Sequence, residues 1–552
     1  MPGTAAPDVI YTARLIRTAN PSNPTATAIA VRDGRVLAVG TLEECREWGI
    51  DKIDRRFEDK VLTAGFVEAH GHVMSGMYAT IPYVGWFPRH MPDGAFVNGV
   101  KSTEELIERV RSIAAATPAG ESVIVAGFDP IYLDSERLSN EHLDEATCEH
   151  PVFVFHASGH LATINSHALA KYDIGPGHPA PGVGFRDDGT PNGELREPAA
   201  MALARDEFRA IGRVVNAPTT VGHFAAAMRN AGVTTSTDLG NRAHNNPAAL
   251  DQLIADTSAD GFPVRIAATP MVEGAVASVD ELLQRVLHAR ASVHDRLHFP
   301  VVKMVLDGSI QGFTAVLEWP GYFTGEDHGL FLVPPDQVVD LLRPFHRAGI
   351  GIHCHCNGST TAGVFIDAID TLLREHSWLD HRHTITHAQT MTQSQIRRAR
   401  NLGMCANYFV NHVWYWGDQH RRITLGPDRA KSQNPCATAD RIGLPYSIHT
   451  DAPVTPPGHL HTMWAAVNRM APSGEVIGPN ERISVDRAFH AATIDAAYQL
   501  HLDHIVGSLE VGKFADMTVL EKDPYTVDPM HIRDIEVWGT VLGGIPQPRP
   551  GN

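Results

Sequence analysis

The sequence predicts an α/β protein: an eight-stranded (β/α)8 barrel of the TIM type, a β-sandwich domain built from both termini, and an inserted subdomain. Three observations carry this prediction. The middle of the chain alternates short apolar runs with helical stretches, the pattern of parallel βαβ units. Both ends of the chain instead carry short β-rich runs broken by turn signals. The chain has 552 residues, and a barrel needs about 250, so a long surplus remains.

Taken in order, residues 9–13, 27–31 and 35–39 read as strands, the last two separated by the turn signal Asp33-Gly34. Residues 1–62 therefore form the first part of the sandwich. Eight candidate barrel strands follow, at residues 62–70, 234–239, 264–269, 301–306, 349–355, 384–387, 404–409 and 446–450. Helical stretches such as 337–346 and 394–402 stand between them. Barrel strand one lies in segment 63–74, the inserted subdomain near the barrel mouth in 75–215, and the rest of the barrel in 216–500. The apolar runs at 515–520 and 535–542, punctuated by Gly512 and Gly539, place the second part of the sandwich in 501–552.

Composition narrows the function classes. Lys and Arg total 46 against 63 Asp and Glu, a net charge of −17, so the basic surface of a nucleic-acid binder is missing. Six widely spread cysteines, Cys45, Cys148, Cys354, Cys356, Cys405 and Cys436, do not make a disulfide framework. Met1-Pro2-Gly3-Thr4-Ala5-Ala6-Pro7 lacks a basic region followed by an apolar run, so no signal peptide is expected. No apolar run reaches the about 18 residues of a membrane span. The expectation is a cytoplasmic protein with no nucleic-acid or membrane partner; a homo-oligomer is compatible with the sequence.

The chemistry gathers at the strand ends, where a (β/α)8 barrel carries its active site. The first candidate strand ends Phe66-Val67-Glu68-Ala69-His70-Gly71-His72; the fourth carries Lys303, the fifth His355 and the sixth His387, and the eighth leads into Asp451. With 31 histidines, roughly 1.7 H-x-H pairs arise by chance, and four occur: His70/His72, His353/His355, His381/His383 and His459/His461. Context singles out the first. It ends an apolar run, and a period of two puts both imidazoles on one strand face, a natural half of a metal site.

In this order the motifs resemble the amidohydrolase superfamily, in particular the amidohydrolase family 3 branch that includes N-substituted formamide deformylase-like enzymes. The resemblance runs over nearly the whole chain. It rests on Asp33-Gly34-Arg35-Val36-Leu37-Ala38-Val39-Gly40, on Ala64-Gly65-Phe66-Val67-Glu68-Ala69-His70-Gly71-His72 and on Val302-Lys303-Met304-Val305-Leu306-Asp307-Gly308-Ser309. It continues in Thr386-His387-Ala388-Gln389, Thr450-Asp451-Ala452-Pro453-Val454 and Gly512-Lys513-Phe514-Ala515-Asp516.

The resemblance implies a ligand set for two divalent metal ions, zinc by preference. His70 and His72 bind the more buried ion, a carboxylated Lys303 bridges, His355 and His387 bind the second ion, and Asp451 both ligates and shuttles a proton. It implies hydrolysis of a small-molecule amide at a C–N bond, an N-acyl or N-formyl amine among them. In the inserted segment His160 is a candidate to hydrogen-bond the substrate carbonyl, and Glu197 a candidate for the site wall; after the seventh strand His412 and Trp414 are further substrate-binding candidates.

Each has a plainer reading. Lys303 can pair with Asp307 or another acid as an ordinary buried salt bridge. Asp451 can be a helix cap, with Thr450-Asp451-Ala452-Pro453 simply starting a turn, His160 can be a satisfied structural histidine, and Trp414 can be packing. His353, two residues before His355, is either a hydrogen-bonded interior group or a ligand. Two other functions compete: deamination of a cyclic amidine, whose enzymes place a Glu three residues after the strand-five His where this chain has Gly358, and a non-catalytic metal-binding regulator.

Overall fold

The computed structural model describes residues 8–133, 137–272, 278–325 and 329–551; the reading of residues 1–7 lies outside them. The chain divides into two compact units. One comprises Met1–His72, Ala225–Asp307 and Ala315–Asn552, the other Val73–Phe224 and Gly308–Thr314.

In the larger unit the chain ends share one seven-stranded sheet, in the order Ile545–Pro548, Val537–Leu542, Met517–Leu520, Ile53–Ala64, Val9–Arg17, Thr25–Arg32 and Arg35–Gly40. The Asp33-Gly34 hairpin follows from its residues. Both sit at positive φ, 49° and 74°, as a two-residue turn matched to the strand twist requires. Val9–Arg17 runs parallel to Ile53–Ala64, which pairs antiparallel with Met517–Leu520, Ala64 opposite Met517.

The parallel strands of this unit follow chain order. Phe66–Glu68, Val233–Asn241, Arg265–Pro270 and Leu297–His298 are neighbours in one sheet; Val301–Val305, Gly351–Cys356, Thr384–His387, Cys405–Tyr408 and Tyr446–Ile448 are neighbours in another. A parallel bridge between Met271 and Lys303 links Arg265–Pro270 to Val301–Val305. At the other end, Asp451 N–H donates to the His70 carbonyl at 3.0 Å and His72 N–H to that of Ala452 at 2.9 Å. The first and last parallel strands are thus bonded just beyond their ends. Helices Val338–Arg347, Ser359–Glu375 and Gln393–Asn401 separate the later strands.

One expected strand, 62–70, divides in two. Residues up to Ala64 belong to the seven-stranded sheet, and only Phe66–Glu68 joins the parallel set. Gly65 is the joint. Its N–H donates to the Asp516 carbonyl, and a Cβ there would lie 2.1 Å from Thr234 Oγ1, so the chain changes partners where only glycine fits. The buried Arg265 guanidinium fixes the returning C-terminal segment by gripping both oxygens of Asp516, at 2.6 and 2.9 Å.

The smaller unit holds a five-stranded sheet, ordered Val183–Phe185, Pro191–Arg196, Leu161–Ile164, Val152–His156 and Val123–Phe128. One apolar cluster gathers Val110, Val125 and Val154 with helix Thr103–Ala116; another gathers Phe153, Ala162 and Leu195. Successive strand residues face opposite sides, which is why Phe153 and Val154 enter different clusters.

Candidate metal centre

The site grows from the ends of the parallel strands. Beyond Phe66–Glu68 the chain bends at Ala69 and His70 but stays bonded to its neighbour: Gly71 N–H donates to Thr237 Oγ1 and its carbonyl accepts from Leu239 N–H, both at 2.9 Å. His70 and His72 therefore share a side, as their spacing predicts. His70 Nε2 lies 3.4 Å and His72 Nε2 3.0 Å from Asp451 Oδ1. His387 Nδ1 lies 3.8 Å from the other oxygen, Asp451 Oδ2. His355 joins through His387, its Nδ1 2.9 Å from His387 Nε2, and its own Nε2 lies 3.0 Å from Asn357 Nδ2. Four of the predicted strand ends thus contribute to one buried cluster.

Backbone conformation marks the same place. His387 and Asp451 both hold positive φ, 67° and 52°. Left-handed backbone costs a non-glycine residue about 1–3 kcal/mol and persists where the surroundings over-determine it. Here it turns each side chain inward as its strand ends.

Lys303 is buried, and its Nζ donates to Thr386 Oγ1 at 3.0 Å. Among the described residues no carboxylate forms an ion pair with it. The salt-bridge reading with Asp307 gives way because Asp307 is fully engaged elsewhere. It accepts from the backbone N–H groups of Val316, Asn357 and Gly358 and from Thr361 Oγ1, at 2.8–3.0 Å. Burial brings the Lys303 amine down to about 8, with the charge of Asp451 opposing. Burial also pushes Asp451 up, but the hydrogen bond and charge of His72, with the charges of His449 and Lys303, prevail and hold the carboxyl below its ordinary value. Asp451 does start a turn, its carbonyl accepting from Val454 N–H at 2.7 Å, but its side-chain oxygens face histidines rather than a helix N-terminus.

Burial, reinforced by the charge of Lys303 and neighbouring imidazoles, holds His70 and His387 well below the ordinary histidine value. They are neutral, the state in which imidazole binds metal. His70 Nδ1 and His387 Nδ1 are buried without a hydrogen-bond partner among the described residues. Such groups normally cost about 1–3 kcal/mol each; beside a carboxylate they are the donor set of a divalent ion. Two triads have ligand atoms within 4.8 Å of one another, His70/His72/Asp451 and His70/His387/His449. The residues present fit a metal.

His449 escaped the sequence reading. It lies two residues before Asp451 and faces the same centre. An H-x-D scan would have found it; the H-x-H scan could not. Glu68 was also missed. Its carboxyl accepts from His70 N–H at 3.1 Å and from Thr450 N–H at 3.2 Å, binding strand end to strand end, and burial pushes it up to about 8.

The remaining candidates stand as follows. His353 is interior, its Nε2 3.2 Å from the Gln499 carbonyl. His412 is buried, its Nδ1 2.9 Å from His420 Nε2, its ring 4.4 Å from that of Trp416. Trp414 packs edge-on against Trp464 at 5.1 Å, with the Arg533 guanidinium 4.6 Å over its ring. In the smaller unit His160 and Glu197 pair at 2.8 Å from Nδ1 to Oε2, and Glu197 N–H donates to the His160 carbonyl.

Fold and donor set define a class that the comparisons name. A family model described as the amidohydrolase family matches residues 58–546; the chain belongs to the amidohydrolase family. It is 26% identical over 570 residues to N-substituted formamide deformylase of Arthrobacter pascens, covering 96% of each chain. It is 25% identical over 555 residues to Protein LONG AFTER FAR-RED 3 of Arabidopsis thaliana, covering 98% of this chain and 92% of that one. Among solved structures, a metal-dependent hydrolase from Pyrococcus horikoshii OT3 matches with a TM-score of 0.71 at 20% identity, over 95% of this chain and 99% of that one.

Proposed function

We propose that the protein is a metal-dependent hydrolase that cleaves the C–N bond of a small amide, with N-acyl and N-formyl amines as the substrate class. In this reading the parallel strands close as a (β/α)8 barrel and the terminal sheet folds as a sandwich. One observation carries the functional reading: the convergence of His70, His72, His387 and Asp451, with His355 and the buried Lys303 behind them, on a buried centre with unpartnered nitrogens.

His70, His72, Lys303, His355, His387 and Asp451 would hold two divalent ions, zinc before harder ions because nitrogen donors dominate. Such ions supply Lewis-acid polarisation of a carbonyl and bring the pKa of a water towards about 7. A carboxylated Lys303 gives the bridging oxygen donors. The environment of this amine supports that chemistry, since burial, without an acidic ion-pair partner among the described residues, shifts it towards its neutral, nucleophilic form. Asp451, held ionised, takes the proton of the attacking water and delivers it to the leaving nitrogen. Ligation would take His72 Nε2 from its 3.0 Å contact with Asp451, and the backbone bonds from Asp451 N–H to His70 and from His72 N–H to Ala452 keep the carboxylate in place.

Deamination of a cyclic amidine fits less well. A Cβ at Gly358 would lie 2.0 Å from the Val316 carbonyl oxygen, so the acid that reaction needs has no room at that position. The test is a screen of N-acyl and N-formyl amines with the zinc-loaded protein. Turnover of linear amides supports the reading; ammonia release from cyclic amidines, with linear amides untouched, overturns it.

A further inference from the structure

His449 is the least explained group in the centre. It is fully buried, and neither ring nitrogen has a hydrogen-bond partner among the described residues. His355, by contrast, has both nitrogens engaged, by His387 and Asn357. Two orphaned nitrogens on one buried ring are costly if nothing meets them. The ring is nonetheless held firmly. It stacks between the rings of His70, at 4.5 Å and 18°, and Phe409, at 4.7 Å and 26°. Its backbone N–H donates to the Tyr408 carbonyl, and the next residue, Thr450, is clamped by Glu68. A ring so held, with an unpartnered nitrogen turned to two other imidazoles, is a ligand prepared before its ion arrives.

Resting on the metal-hydrolase reading above, we propose that His449 is itself a metal ligand, closing with His70 and His387 a three-histidine site on the buried side of the centre. The three ligand atoms lie within 4.8 Å of one another. Nitrogens around a tetrahedral zinc, each at about 2.0–2.1 Å, stand about 3.4 Å apart, so small ring rotations close the set. Three imidazoles select zinc, cobalt or nickel over magnesium and calcium. The assignment adds a seventh donor to the six expected from sequence and makes Tyr446–Ile448 lead into two ligands rather than one.

The test strips the full-length protein with a chelator and titrates zinc back against a chelating indicator. His449→Phe keeps an aromatic ring in the stack and removes both nitrogens. The expected result is zinc affinity lowered at least about tenfold, with unchanged circular dichroism and an altered visible spectrum of the cobalt-substituted protein. Equal affinity with an identical cobalt spectrum overturns the assignment. Should the variant fail to fold, a crystal structure of the zinc-loaded wild type decides. A His449 nitrogen at about 2.0–2.1 Å from an ion supports it; a ring outside bonding distance of every ion overturns it. Zinc binding that depends on His449 without amide turnover supports the assignment and overturns only the hydrolase reading. A wild type that binds no zinc overturns both.

Discussion

His72 and Asp451 are 379 positions apart in the chain, yet His72 Nε2 lies 3.0 Å from Asp451 Oδ1. Their backbones hold the contact from both sides, through the hydrogen bonds from Asp451 N–H to His70 and from His72 N–H to Ala452. The carboxylate is therefore aimed by main chain as well as by its imidazole partner, and the chemistry assigned to it can be tested without disturbing its place.

Asp451→Asn keeps the shape and one oxygen but cannot accept a proton at neutral pH. Bound zinc should be retained while turnover of an amide substrate falls by about 10²- to 10⁴-fold. Zinc content by elemental analysis and kcat on the same preparation check this. Turnover within a few-fold of wild type would remove Asp451 from the proton path.

Lys303→Ala leaves a cavity where a bridging group is proposed. The variant should bind less than the wild-type complement of zinc, and short carboxylates such as formate or propionate should restore part of the activity. Added carbon-13 bicarbonate should give a lysine carbamate resonance in the wild type and none in the variant. A wild type without that resonance when zinc-loaded would count against carboxylation.

Glu68→Gln tests the tie between the two strand ends. An amide in place of the carboxyl keeps an acceptor for His70 N–H but sets its NH2 against the Thr450 N–H that donates at 3.2 Å, leaving that donor only the 3.4 Å contact with the other oxygen. The expected loss is about 1–3 kcal/mol of unfolding free energy, read by urea denaturation of the metal-free protein at constant pH. A difference below a few tenths of that range would show the tie to be dispensable.

A second histidine network predicts acid sensitivity away from the centre. His383 Nδ1 accepts from Ile352 N–H, and its Nε2 lies 2.9 Å from His346 Nδ1; His346 Nε2 donates to the His376 carbonyl, and His381 Nδ1 accepts from His383 N–H. Each ring is fixed as the neutral form, and burial above all holds His346, His381 and His383 below the ordinary histidine value. The unfolded chain takes up protons near pH 6.5 where the folded chain does not. Stability contributed by these rings is full above that pH and is lost as pH falls below it. Between pH 7.5 and 5.5 the wild type should lose more unfolding free energy than His346→Gln does, even if the variant is less stable at the start. Equal losses would exclude the network as a cause.

Much of this was legible in the sequence because the parallel strands are short apolar runs closed by turns, and each predicted run overlaps an observed strand. His70, His72, His387 and Asp451 were legible because strand ends of such units lie on one side. The apolar run through Gly65 was misread because hydropathy does not change where hydrogen-bond partners do; only the close approach of Thr234 reveals the joint. His449, which only its H-x-D spacing to Asp451 could have flagged, and Glu68 were passed over for a different reason. Their meaning lies in what they face across the structure, an imidazole stack for one and two backbone N–H groups for the other, and neither leaves a periodic trace. The sequence also could not say that Asp307, four residues from Lys303 in the chain, spends its bonds on Val316 and on the segment after Gly351–Cys356.

The seven-stranded sheet sets an order on synthesis. Strand Ile53–Ala64 leaves the ribosome early, but its antiparallel neighbour Met517–Leu520 is made more than four hundred residues later. Until then one side of an early strand stands open, with unpaired backbone groups of the kind that recruit foreign strands. Losing the segment after Leu509 would make that exposure permanent. Such a truncation should be found in aggregates even though the centre of the enzyme, from His70 to Asp451, is intact in its sequence.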